Sequence, residues 1–245
     1  MDRRLPIATL IVVAFMGSAY AQSGSSQPGA ETLTVAAWNL EHLTEQSGTG
    51  CKARSEADYE ELRQYAEALD ADVIAFQEVE NEAAAARVLP ADDYVIVIEQ
   101  RQGSDRRTEC FDADGQYLVR QAVGFAIRRD LPLDRNPDLT ALQLGDRDLR
   151  SAVDITLRPE NGQPLRLLSV HLKSGCARGE SGRDCEILLQ QQPALIDWIR
   201  AREREKSAYA LLGDFNRNLD LQGDRVWAEL TEANELDLAV RRQHQ

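Results

Sequence analysis

Four times along the chain a short apolar run ends in a polar cluster. Thr34-Val35-Ala36 leads into Trp38-Asn39-Leu40-Glu41, Val73-Ile74-Ala75-Phe76 into Gln77-Glu78, Leu165 to Val170 into His171-Leu172-Lys173, and Tyr209-Ala210-Leu211-Leu212 into Gly213-Asp214-Phe215-Asn216. Apolar runs of this length read as buried strands. Strand side chains alternate, so Asp214 and Asn216 are expected on one side. Strand ends bearing oxygen-rich side chains suit a hard-metal or phosphate site.

Between these runs the periodicity changes. Ser55-Glu56-Ala57-Asp58 resembles a capping box, and Tyr59, Leu62, Ala66 and Leu69 recur at helical spacing, which predicts a helix over Ser55 to Asp70. Further elements are a helix at Glu80 to Leu89, strands at Tyr94 to Ile98, Tyr117 to Arg128, Leu149 to Leu157 and Leu165 to Leu172, and a strand at Ala208 to Leu212. A helix is expected over Cys185 to Glu203, kinked or broken at Pro193, and another over Gln222 to Ala233. Asp112-Ala113-Asp114-Gly115 starts like a calcium loop, but Val123 stands where the closing Glu belongs, and it reads as a turn. With 245 residues and 43% hydrophobic content, one α and β domain can bury a sizeable core.

The N-terminus changes the compartment. Arg3 and Arg4 precede the apolar stretch Leu5 to Met16, and Ala19-Tyr20-Ala21 gives a small-x-small cleavage pattern, so residues 1–21 read as a secretory signal peptide, with an uncleaved anchor as the alternative. Residues 22–31 follow as a flexible leader, and the folded domain is expected over 32–245. Export to the periplasm or exterior allows the four cysteines to form two disulfides in any of three connectivities. Cys176 and Cys185, flanking a Gly-rich loop, are the favoured pair, and Cys51 and Cys110 then pair by elimination. A zinc site lacks C-x-x-C spacing or a nearby His. The net charge of −13 becomes −14 once Asp2, Arg3 and Arg4 leave with the signal peptide. So acidic a chain has no broad basic face, and a polyanion would need a local basic groove and bridging cations.

In this order the motifs resemble the endonuclease/exonuclease/phosphatase superfamily, the deoxyribonuclease I-like fold. The resemblance runs from Thr32 to Leu238 and rests on WNLEHL (Trp38 to Leu43), QEVEN (Gln77 to Asn81), LRSAV (Leu149 to Val153), SVHLKSGC (Ser169 to Cys176) and GDFNR (Gly213 to Arg217). It implies a four-layer αββα sandwich and a divalent-metal-dependent phosphodiester hydrolase, most similar to secreted bacterial members, with DNA as the leading substrate. Carried over, it makes Glu78 the principal Mg²⁺ ligand with Asn39 beside it, Mn²⁺ or Ca²⁺ being alternatives. Asp214 and Asn216 would orient the attacking water and hold the phosphate, His171 and Arg150 would contact the phosphate, and Lys173 would line the groove. His42 keeps two readings, structural or approaching the metal.

One departure stands out. The resemblance implies a C-terminal strand with Ser-Asp-His, and nothing of the kind follows Asn216; His244 has neither an Asp before it nor an apolar strand around it. The domain is therefore expected to lack C-terminal strands, and the chain to be weakly active. A non-catalytic or fragmentary member of the fold, and a phosphomonoesterase or lipid phosphodiesterase on the same scaffold, remain as alternatives.

Overall fold

A computed structural model of the chain describes residues 9–14, 32–103, 108–160, 162–232 and 236–238. The elements are β1 (Thr9–Ala14), β2 (Thr32–Leu43), α1 (Glu56–Leu69), β3 (Val73–Val79), α2 (Glu82–Ala86), β4 (Tyr94–Ile98), β5 (Ala122–Arg128), β6 (Leu133–Arg135), a 3-10 turn (Thr140–Gln143), β7 (Val153–Leu157), β8 (Leu165–His171), α3 (Arg183–Glu205), β9 (Ala208–Asp214) and α4 (Arg225–Thr231). They form one sheet of order β1-β2-β3-β5-β4 and a second of order β6-β7-β8-β9.

Strand alternation divides the apolar residues among three packed layers. Ala36, Trp38 and Leu40 of β2 and Ile74 and Phe76 of β3 face Tyr59, Leu62 and Ala66 of α1. The opposite faces of those strands, with Val35, Val73 and Ala75, join Phe125 and Ile127 of β5 against Ile155, Leu157, Leu165 and Leu167 of the second sheet. The second sheet's outer face, Leu168 and Val170, packs on Leu188, Leu195, Trp198 and Ile199 of α3 and Val226 and Leu230 of α4. The result is the four-layer αββα sandwich. Each fully buried Leu, Ile or Phe contributes about 1.5–3 kcal/mol to it.

The ends of several elements differ from the sequence pattern for local reasons. The Ser55 capping box is present, with its side chain accepting from Asp58 N. The strand expected from Tyr117 begins only at Ala122: Tyr117 bridges to Glu109 instead, Arg120 donates to Glu99 O, and Gln121 Oε1 accepts from Arg150. The strand expected from Leu149 begins at Val153, since Ser151 N and Oγ donate to the buried Glu99 carboxylate. Pro193 does not interrupt α3, which runs unbroken for 23 residues. A proline inside a helix costs about 3 kcal/mol. Here it is offset by burial on both sides and by anchors from adjacent residues: Gln191 Nε2 donates to Leu142 O, and Gln192 Nε2 to Val226 O. β1 falls inside the stretch read as a signal peptide and pairs antiparallel with β2, from Thr9 opposite Ala37 to Ala14 opposite Thr32. The rest of that stretch and the leader, residues 1–8 and 15–31, lie outside the described residues, as do Ala233 and His244.

Both disulfide pairs are bonded, Cys51 to Cys110 and Cys176 to Cys185, with Cα separations of 5.2 Å and 4.8 Å. The first closes a span of 59 residues and the second a span of 9. In the chain-entropy account these loops stabilise by about 4 and about 2.6 kcal/mol. Replacing Cys51 and Cys110 by Ser should therefore lower the denaturation midpoint more than replacing Cys176 and Cys185. Equal midpoints in urea titrations would contradict the ordering.

Candidate active site

The site grows from two parallel strand pairs. β2 runs parallel to β3, with Asn39 opposite Gln77, and β8 runs parallel to β9, with His171 opposite Asp214. On the faces between the sheets, Val35 leads in steps of two to Asn39, Ala75 to Gln77, Leu167 to His171 and Leu212 to Asp214. All four strands end at one rim of the sandwich, so alternation alone delivers Asn39, His171 and Asp214 to a shared position.

Glu78 arrives differently. It follows Phe76 in steps of two, and alternation would turn it toward α1. Instead its φ of +61° places it in the left-handed region, at a point where the register shifts on both sides of β3. That backbone is unfavourable for a non-glycine residue and clusters at functional sites. It turns the carboxylate into the cleft, where Oε1 accepts from Asn39 Nδ2 at 3.1 Å and Oε2 from His42 N at 3.2 Å. Glu41 and His42 are left-handed as well, with φ of +45° and +59°.

Asn39 ties the cluster together. Its amide nitrogen donates to both Glu78 Oε1 and Asp214 Oδ2, each at 3.1 Å, while its oxygen accepts from Glu41 N. Two carboxylates thus face one another across an amide, with His171 Nε2 3.7 Å from one and 3.9 Å from the other. Burial, then the Arg150 charge, hold His171 well below the ordinary imidazole range. His42 is also lowered, chiefly by burial against the raising pull of Glu78. Both are neutral at pH 7. His171 Nδ1 is buried without a hydrogen-bond partner.

The remaining expected residues are divided. Arg150 reaches Gln121 Oε1 at 3.3 Å and leaves Nε buried and unpartnered. Asn216 does not continue the strand. β9 ends at Asp214, and Asn216, with φ of +50°, closes a turn in which its N–H donates to Asp214 Oδ1 at 2.8 Å and its amide to Leu172 O at 3.0 Å. Side-chain competition for backbone groups, which Asn and Asp favour, ends the alternation there. Lys173 is outside the cluster, since its ammonium sits 2.9 Å from Asp184. Arg217 of the same motif is a structural residue, buried against Asp224 at 2.7 Å and bonded to Cys176 O. Gln121 was missed by sequence reasoning. It lies just before β5 in no recognisable pattern, and only contacts in space reveal it.

A cleft of about 730 Å³ opens from the cluster. Asn39, His42 and Glu78 line one side, and Glu109, Phe111 and Leu118 the other. That far wall is a hairpin held by Cys110 N to Gln116 O and Leu118 N to Thr108 O, and it is tied across by the Cys51–Cys110 bond.

Carboxylates, an amide and imidazoles are thus gathered at the parallel strand ends of a two-sheet αββα sandwich. Residues 36–243 match the Endonuclease/Exonuclease/phosphatase family, and the chain belongs to it. Its fold is similar to humanized TDP2 of D. rerio, at 17% identity and a TM-score of 0.51, covering 81% of this chain and 66% of that one. It is similar also to TDP2 from C. elegans, at 16% identity and a TM-score of 0.51, covering 75% and 48%. The chain thus spans about half to two thirds of the length of these structures. No curated protein matches it.

Two predictions follow from the geometry. Gly213 has a φ of +120°, and a Cβ there would stand 2.2 Å from Val170 O. Gly213→Ala should push β9 from β8 beside Asp214 and destabilise by about 1–3 kcal/mol, read by thermal melting; an unchanged melt would show that the strands absorb the methyl. The second concerns pH. Unfolded imidazoles titrate near 6.5, and the folded ones are depressed, so below about 6.5 the unfolded chain takes up protons that the fold resists and stability is lost. Metal-free protein should melt lower at pH 5.5 than at pH 7.5, and His171→Asn should flatten that slope. Identical slopes would mean that His171 does not resist protonation.

Proposed function

We propose that the chain is a secreted, divalent-cation-dependent phosphodiester hydrolase acting on nucleic acid, DNA foremost. The observation that carries this is the convergence of Glu78 and Asp214 on Asn39, next to a neutral His171 and the Arg150 charge. Two facing carboxylates with no cationic side chain inserted between them have the donor chemistry of a hard cation site. Among the described residues no group of three or more His, Cys, Asp or Glu is gathered closely enough to enclose an ion. Mg²⁺ keeps several waters and takes one or two carboxylates, a demand that Glu78 and Asp214 on one rim can meet. Glu78 would hold it with Asn39 beside it. Mn²⁺ and Ca²⁺ share the same oxygen preference. When bound, such a cation draws electron density from a phosphoryl oxygen and offsets developing charge.

The chain's own residues supply the rest. Asp214, whose side chain is 34% exposed, is open to water and accepts its proton, and the Asn216 N–H keeps the carboxylate oriented. One amide hydrogen of Asn216 goes to Leu172 O; the other is the one offered to a phosphate oxygen. His171, being neutral, is not locked into an ion pair and donates to the same group. Arg150 faces Glu78 and Asp214 through its charge and draws the anionic substrate in.

With a net charge of −13 the chain offers a polyanion little long-range attraction, so the substrate must meet a local basic group. Arg150 supplies that charge, whereas Arg101 and Arg120 are engaged with Glu99, Arg101 buried against its carboxylate and Arg120 bonded to its carbonyl. Two disulfides fit an oxidising compartment, and among the described residues no helix is long and apolar enough to cross a membrane.

Hydrolysis of plasmid DNA should need Mg²⁺ or Mn²⁺ and stop in excess EDTA. Asp214→Asn should slow turnover by about 10²–10⁴-fold, and Glu78→Gln should weaken metal binding and turnover together, measured by calorimetric titration and nicking. Full activity in EDTA would refute the cation. Turnover of a lipid phosphodiester or a small phosphate monoester in place of DNA would refute the substrate class.

A further inference from the structure

Gln121 joins Arg150, His42 and Glu78 in a continuous chain of side chains at the edge of the cleft. Arg150 Nη2 donates to Gln121 Oε1 at 3.3 Å, Gln121 Nε2 stands 3.2 Å from His42 Nδ1, and His42 Nε2 stands 3.4 Å from Glu78 Oε2. Each link restricts the next. A guanidinium has only donors, so the Gln121 amide must turn its oxygen to Arg150 and its NH₂ to the imidazole. The NH₂ then makes His42 Nδ1 an acceptor, and the single proton of the neutral ring sits on Nε2, facing Glu78. The other tautomer would set N–H against NH₂ and a ring lone pair against a carboxylate oxygen, two unfavourable contacts in place of two favourable ones. His42 is also fixed at its backbone, since its N–H donates to the same Glu78 oxygen at 3.2 Å and its carbonyl accepts from Arg54 at 3.4 Å.

We propose that Gln121 is a positioning residue that sets the His42 tautomer and, through the Nε2–H, holds the Glu78 carboxylate in its cation-binding orientation. The inference rests on the reading of Glu78 as a cation ligand. It gives a role to a polar residue just before β5 whose side chain bonds across the fold, and it accounts for both oxygens of the left-handed Glu78 being held from outside. Partners that orient a ligand in this way are worth about 10–100-fold in metal affinity.

The test has two arms. In the first, ¹⁵N-detected NMR of metal-free wild type at pH 7.5 should show His42 protonated on Nε2 alone, and Gln121→Glu, whose carboxylate accepts a hydrogen bond in place of donating one, should place a proton on Nδ1. In the second, Mn²⁺ titration followed by electron paramagnetic resonance should show affinity reduced about 10–100-fold in Gln121→Leu and Gln121→Glu. Wild-type His42 protonated on Nδ1 overturns the proposal without any variant having to fold. Folded Gln121 variants with unchanged tautomer and Mn²⁺ affinity overturn it too. A wild type that binds no Mn²⁺ refutes the cation reading, and with it the role of Gln121 toward a metal, whatever the NMR arm shows.

Discussion

The structure depends on two parallel strand pairs ending at the same rim. Because β2 and β3 run together in one sheet and β8 and β9 in the other, one rule of alternation carries four chains of inward residues from a dry middle layer to a polar edge. The apolar members hold the sheets face to face, and the last members make the site. Packing and chemistry therefore share a register: a slip of one residue in β9 would turn Asp214 to the opposite face of its sheet, away from Asn39 and His171. Gly213 shows how tightly the register is held, since it is the absence of a side chain that lets β9 lie against Val170 directly before Asp214.

Against that rule Glu78 is the exception that completes the site. A regular β3 would give the cleft Gln77, and Gln77 is indeed buried there, donating to Ala75 O. The left-handed residue brings in a second carboxylate from the wrong face of the strand, at a conformational cost of order 1–3 kcal/mol. Hydrogen bonds from Asn39 and the His42 backbone offset that cost and keep the carboxylate where alternation could not.

What the sequence revealed follows the same line. The apolar runs, the capping box at Ser55 and the polar clusters holding Asn39, His171 and Asp214 were legible because they rest on periodicities of two and of 3.6, which a sequence carries openly. The sandwich class and the roles of those residues came from the resemblance of the motifs to a known family. The start of β5 was not, because Arg120 and Gln121 leave the ladder for partners distant in sequence. The continuity of α3 through Pro193 was hidden as well, since its support comes from Leu142 and Val226. Gln121 itself has no pattern to betray it. Local rules were overruled wherever a side chain found a better partner across the fold.

The cleft has one wall that the sandwich does not make. The hairpin carrying Phe111 and Leu118 is fastened across the opening by a covalent bond from Cys110 to Cys51, on the segment that follows β2. The strand-end cluster takes its position from the register of the sandwich strands, whereas the opposing hairpin is held by its own backbone hydrogen bonds and by one covalent tie to the segment after β2. One wall of the trough is thus drawn from secondary structure and the other is anchored by a cross-link of the kind that persists in oxidising surroundings.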